Sequence, residues 1–177
     1  MQVAFLSDFA SLGWKEHAAL GLATTTGWVE GDTHCVEWAY APDTEGFEVS
    51  YLKHETRHLA DLERFPGLRS VELEYRAKLT ELAFASKTLR RLLEDFHAKS
   101  APNPESPHAE ANFRVVQDVY RALHGTELPE LNGVWLTVDV GKVNRVARRL
   151  LEKNTGELLY ERDSRATPAT RAQANSD

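Results

Sequence analysis

Residues 51–85 read YLKHETRHLADLERFPGLRSVELEYRAKLTELAFA, and this stretch predicts two helices joined by a tight turn. Phe65, Pro66 and Gly67 end the first helix, because proline interrupts a helix and glycine accepts a reversed backbone. The apolar stripe of the second helix has the helical spacing i, i+3 or i+4, i+7 and consists of Leu68, Val71, Tyr75, Leu79 and Leu82. A helical hairpin is therefore the predicted centre of the fold.

The segments on either side of this hairpin complete the prediction of an α+β, mostly helical fold. Residues 28–42 read as extended around the turn residues EGDT, and they predict a small N-terminal extended region packed on the hairpin. Residues 86–100, 108–125 and 141–156 have the helical period, whereas residues 133–140 read as extended.

Residues 1–163 are predicted to form a single domain. The segment 100–107, SAPNPESP, has three prolines in eight residues and predicts a linker within that domain. Residues 164–177 have almost no large apolar side chain, which predicts a disordered tail.

The composition disfavours several classes of function. The 177 residues carry a net charge of −6, which is unfavourable for binding a nucleic-acid backbone. The single cysteine, Cys35, excludes cysteine-rich zinc frameworks, so a metal site has to be built from histidines and carboxylates. The sequence has no stretch with the length of a membrane span and no signal-peptide pattern at its N-terminus. The expected location is cytoplasmic, or secreted or periplasmic if a leader has been removed.

His54 and His58 form the most informative pair in the sequence. Residues four apart on a helix lie on the same face, so the two imidazoles can bind one ion. A zinc–nitrogen bond is about 2.0–2.1 Å long, and one helical turn holds two rings rigidly enough for such bonds. The pair predicts a metal site on the first helix of the hairpin.

Glu55 adjoins the first histidine in the pattern HExxH, and we expect it to act as a general base. It points away from the histidine face, where it can contact a metal-activated water. On a helical wheel it falls in a sector with three leucines, Leu52, Leu59 and Leu62. Burial in such a sector favours the neutral form of a carboxyl group and suits a base that works near neutral pH.

A hydrolytic zinc site usually has three protein ligands and one open position. The three-histidine pattern HExxHxxGxxH is excluded, since positions 61 and 64 are Asp and Arg. The third ligand is therefore expected to be a carboxylate of the second helix, which carries Glu72, Glu74 and Glu81.

The motif HETRH followed by a helix that contains EYRAK, residues 74–78, resembles the gluzincin-type zinc metallopeptidases. Those enzymes pair an HExxH helix with a helix that supplies a glutamate, often in a pattern of the form ExxAD. The resemblance implies Glu74 as the third ligand, with Glu72 as the alternative. Lys78 stands where the family has aspartate and cannot orient a histidine ring, so Asp61 becomes the candidate for that role.

The resemblance covers residues 50–85 and implies a zincin-like fold with one zinc ion per chain. It also implies hydrolysis of peptide bonds in a peptide or protein substrate, with Glu55 as the base. A non-catalytic zinc-binding module is the alternative. A di-iron carboxylate protein is a further alternative, because Glu94 and His97 form a second Glu-x-x-His pair. It ranks third, since its two lone glutamates, Glu74 and Glu81, would come from one helix and His54 would have no role.

Overall fold

The computed structural model of the protein describes residues 41–103, 105–131 and 133–166, together with the backbone of three short strands. The strands are β1 (Val3–Leu6), β2 (Gly27–Glu30) and β3 (Asp32–Val36). β3 lies in the middle, parallel to β1 and antiparallel to β2. The antiparallel pair confirms the extended reading at residues 28–30 and 32–36. Gly31, in the predicted turn, and residues 37–40 lie outside the described residues.

Most of the rest of the described chain is helical, so the prediction of a mostly helical fold is confirmed. A π-helical segment, Gly46–Lys53, runs directly into the first α-helix. The α-helices are α1 (His54–Arg64), α2 (Ser70–Phe84), α3 (Leu89–Ala98), α4 (Pro107–His124) and α5 (Val140–Ala166). In the described part, none of these helices is both long and apolar enough to cross a membrane.

The predicted helical hairpin is present. α1 ends at Arg64, and Phe65 leaves the helical region of backbone space. Gly67 has φ of +84°, a conformation that glycine adopts without strain. This turn sends the chain back so that α2 packs against α1.

α2 is the central helix, since it packs against α1, α4 and α5. All nine residues from Tyr75 to Ala83 are buried. The core around it consists of apolar side chains from several helices, among them Leu79, Leu82, Leu93, Val115, Val119 and Val143. α2 also buries four polar residues, Arg76, Lys78, Thr80 and Glu81. Buried polar groups need partners, and those partners define the candidate site.

The start of α3 is held by a carboxylate from a preceding segment. The two oxygens of Glu45 accept hydrogen bonds from three successive backbone amides, at Ser86, Lys87 and Thr88, over 2.7–3.0 Å. The hydroxyls of Ser86 and Thr88 also donate to Glu45. These bonds tie the residue that precedes the π-helical segment to the turn that leads into α3.

Two predictions outside the hairpin need correction. Residues 133–137 form turns instead of a strand, and fully buried Trp135 fixes them to the core. α5 continues through Ala166, three residues into the segment predicted to be a disordered tail. Residues 167–177 lie outside the described part of the chain.

Candidate metal centre

Three side chains from the hairpin meet at one point. His54 and His58 lie on successive turns of α1, with their Nε2 atoms 3.0 Å apart. Glu74, on α2, places Oε1 3.4 Å from Nε2 of His58 and Oε2 3.6 Å from Nε2 of His54. Only 11–15% of each side chain is exposed. The structure therefore brings together the three residues predicted as metal ligands.

These distances suit a metal ion. In a tetrahedral zinc site with bonds of 2.0–2.2 Å, neighbouring ligand atoms lie about 3.3–3.5 Å apart, close to the spacings found here. Within the described residues, His54, His58 and Glu74 are the group able to hold a metal. Two imidazoles and one carboxylate suit zinc as well as other divalent transition metals.

Glu81 fixes the orientation of the first histidine ring. Its Oε1 lies 2.7 Å from Nδ1 of His54, and both residues are buried. Donation of the Nδ1 proton to this carboxylate leaves the Nε2 lone pair of His54 directed at the other two ligands. A carboxylate behind a liganding histidine is a regular feature of metal sites. The sequence contained a signal for this role, because Glu81 lies seven residues after Glu74 and hence on the same face of α2.

The prediction that Asp61 orients a histidine ring is wrong. Asp61 is buried, and both of its oxygens accept hydrogen bonds from Arg76, at 2.7 and 2.9 Å. Arg76 also donates to the side chains of Asn154 and Thr155 on α5. The Asp61–Arg76 pair therefore joins α1, α2 and α5 and fixes the relative positions of the two ligand-bearing helices.

Glu72, the alternative third ligand, lies elsewhere. Its carboxylate accepts hydrogen bonds from Arg114 on α4, at 2.6 and 3.3 Å, and from Arg69 at 3.3 Å. Of the two glutamates considered as third ligand, Glu74 is therefore the one at the histidine pair.

Glu55 is half-buried and, among the described residues, accepts no hydrogen bond. Glu55 directly follows His54 in the sequence, and its negative charge contributes to the raised pKa of His58. The predicted leucine sector around it is not part of the core. Leu62 is 48% exposed, and Leu52 and Leu59 are only partly buried. The case for Glu55 as a base therefore depends on its position beside the ligands.

Two further basic groups contact Glu74. Nδ1 of His108, near the start of α4, lies 2.9 Å from Oε2 of Glu74. Nζ of Lys78 lies 3.9 Å from the same oxygen and 4.8 Å from the ring centre of Phe96. The sequence had indicated Lys78 only as a departure from the family pattern, and it assigned no role to His108.

The charges of this cluster shift the pKa values of its members. Burial by itself would raise the pKa of Glu74, but the adjacent imidazoles of His108, His58 and His54 hold it well below its usual range. Burial would likewise lower the pKa of His58, but the adjacent carboxylate of Glu74 raises it above its ordinary value. Basic side chains thus surround the buried carboxylate, and a divalent cation held by the same residues would also balance its charge.

The second Glu-x-x-His pair does not join this cluster. Glu94 accepts a hydrogen bond from the backbone N–H of Trp135, and the ring of His97 packs edge-on against the Trp135 indole. Both residues therefore contact the turn after α4, which removes the main support for a di-iron site.

In comparisons with known proteins, no family model, no curated protein and no solved structure matches the chain.

Proposed function

We propose that the protein is a zinc-dependent peptidase whose metal is held by His54, His58 and Glu74. The observation that carries this proposal is the convergence of the three side chains within 3.0–3.6 Å, with Glu81 behind His54. The resemblance of HETRH and EYRAK to gluzincin-type metallopeptidases, and the zincin-like fold that it implies, point to the same chemistry.

When bound, zinc supplies a Lewis acid that polarises a substrate carbonyl and lowers the pKa of a water. In the proposed reaction, Glu55 takes a proton from the attacking water and passes it to the leaving amine. Glu55 is a candidate for this role because it directly follows His54 in the HExxH pattern, is only half-buried and carries a charge that acts on His58. His54 and His58 bind and orient the ion, and Glu81 keeps the His54 ring in the required tautomer.

A non-catalytic zinc-binding module is the alternative. Structural zinc sites usually have four protein ligands, whereas catalytic sites have three and leave one position for water or substrate. The described residues provide a group of three, and Glu55 directly follows one of its histidines in the sequence. Both features favour hydrolysis over a structural site.

The Glu55→Gln variant tests the proposal. Glutamine has nearly the same shape as glutamate, so the variant should fold and bind zinc as the wild type does. Peptide cleavage should fall by a factor of about 10²–10⁴, the usual contribution of a positioned acid–base group. Glu63→Gln is the matched control, because Glu63 is an exposed residue of the same helix and should be dispensable.

The assay uses the zinc-loaded protein and a mixed peptide library, with cleavage products read by mass spectrometry. Equal cleavage by the Glu55→Gln variant and the wild type would reject the base assignment. If the zinc-loaded wild type cleaves nothing in a broad library, the protein is better described as a binding module.

A further inference from the structure

We propose that a groove on the helical hairpin binds a small carboxylic acid that carries an apolar group, such as an aryl or alkyl carboxylate. The groove is lined by residues of the π-helical segment, α1 and α2, and it has a volume of about 660 Å³. Small-molecule sites in proteins usually have volumes of about 300–1,000 Å³. The inference does not depend on the proposed metal centre.

The groove and the histidine pair lie on different faces of α1. Arg57 and Ala60 line the groove. Each directly precedes a side chain that packs between α1 and α2, His58 and Asp61 respectively. Successive residues of an α-helix are about 100° apart around its axis, so the two sets of side chains point in different directions. The groove is therefore a separate candidate site, and none of the described residues that line it is a proposed metal ligand.

Part of the groove is apolar. Leu52, Ala60 and Phe84 supply this part of the lining. Phe84 is the last residue of α2, and 52% of it is exposed. A ligand with an apolar group would remove this aromatic surface from water, which favours binding.

Two cationic side chains lie in the same groove. Nζ of Lys53 is 4.5 Å from the ring centre of Phe84, and Lys53 forms no ion pair with any described residue. Arg57 is held in place, because its Nε donates a hydrogen bond of 3.0 Å to the hydroxyl of Thr80. A guanidinium group has five N–H donors, so donors of Arg57 remain for a ligand.

The groove is positively charged although the whole chain has a net charge of −6. Its described lining contains Lys53 and Arg57 but one carboxylate, that of exposed Glu48. The guanidinium of Arg148 on α5, 5.8 Å from the ring centre of Phe84, adds a further positive charge nearby. A ligand carboxylate can pair with such groups while its apolar part covers Phe84. This combination of a few charges with apolar lining is typical of small-molecule sites.

The test is a titration of the isotope-labelled, full-length chain with hydrocinnamate, followed by nuclear magnetic resonance. Hydrocinnamide, which has the same shape but no charge, is the matched ligand control. Hydrocinnamate should shift the backbone amide signals of Lys53, Thr56 and Phe84 saturably, with the same Kd in the presence and absence of zinc. Hydrocinnamide should bind about 10–100-fold more weakly, because hydrogen bonds to a charged group are stronger than those to a neutral one.

Three variants assign the binding to the groove. Lys53→Met and Arg57→Met should each weaken hydrocinnamate binding by about tenfold or more. Lys142→Met is the matched control, since Lys142 is exposed on α5 and does not line the groove. Lys53→Met breaks no ion pair with a described residue and should melt like the wild type, so it keeps the test decisive even if Arg57→Met loses stability.

Several results would overturn the inference. Among them are the absence of saturable shifts, equal binding of hydrocinnamate and hydrocinnamide, and wild-type affinity in Lys53→Met. Signal changes centred on His54 and His58 would place the ligand at the metal site instead. A blocked Phe-Glu dipeptide that binds at least about tenfold more tightly than hydrocinnamate would identify a docking site for an acidic peptide. A wild-type dimer that Phe84→Ser converts to a monomer would show that a second copy of the chain covers the groove.

Discussion

Substituting Arg76 by methionine should destabilise the protein more than most single changes. Arg76 and Asp61 each have only 1% of their side chain exposed. Arg76 makes two hydrogen bonds to Asp61 and one each to Asn154 and Thr155, so the substitution removes four. It also leaves the Asp61 carboxylate buried without its main counter-ion.

The expected cost is about 3–5 kcal/mol, the usual result of removing one member of a buried ion pair. For a chain of this size, 1 kcal/mol shifts the melting temperature by about 2–4 °C, so the variant should melt about 6–20 °C lower. Replacing both members, by Asp61→Leu and Arg76→Met, should cost less than the sum of the two single changes, because neither charge is then left buried alone.

Chemical denaturation followed by circular dichroism measures these free energies. Lys153→Met is the control, since Lys153 and Glu157 form an exposed pair on α5 and its loss should cost no more than about 1 kcal/mol. A loss below about 1 kcal/mol for Arg76→Met would refute the reasoning, because the pair could not then be buried and charged as described.

Three further predictions follow from other parts of the structure. Partial burial alone would raise the pKa of Glu45, but its five hydrogen bonds lower this pKa to about 2. The Glu45 carboxylate should therefore stabilise the fold at pH values above its ordinary pKa of 4.5. This stabilisation should be lost as the pH falls towards 2. Unfolding curves of Glu45→Gln should accordingly depend less on pH in that window and show a loss of about 1–2 kcal/mol at neutral pH. Leu79→Ala should cost about 2–5 kcal/mol in denaturant titrations, whereas exposed Leu62→Ala should stay within about 0.5 kcal/mol of the wild type. Glu81→Gln should weaken zinc binding by about 10–100-fold in a chelator competition, since the acceptor that orients His54 loses its charge.

The hairpin and the histidine pair could be predicted because both are local in sequence. Pro66 and Gly67 end a helix regardless of what that helix packs against, and two histidines four residues apart share a face on any α-helix. The extended pair β2–β3 was predictable for the same reason, since its turn residues lie between two short alternating runs. Such features depend on neighbours within a few residues.

The helical-wheel prediction for α1 was wrong because a wheel does not show which face of a helix packs against the rest of the protein. It favoured the leucine face, yet the described structure buries His54 and Asp61 and leaves Leu62 exposed. The burial of these polar residues becomes favourable only through partners on α2, Glu81 and Arg76. The pairing follows from how the two helices pack, which residue spacing within α1 does not determine.

The contact of His108 with Glu74 could not be predicted from the sequence for a similar reason. The two residues are 34 positions apart and on different helices, so only the packing of α4 on α2 brings them together. Trp135 is a comparable case. Its segment alternates like a strand, but the buried indole belongs to a turn between helices, and single-sequence periodicity does not distinguish the two.

Metal analysis of the purified protein is the most direct test of the proposed site. The wild type, loaded with zinc and freed of excess by gel filtration, should retain about one zinc ion per chain by mass spectrometry. His58→Ala removes one ligand and should lose most of the zinc, whereas His124→Ala should retain it. Zinc at full occupancy in His58→Ala, or no zinc in the wild type, would contradict the assignment of His54, His58 and Glu74 as a metal centre.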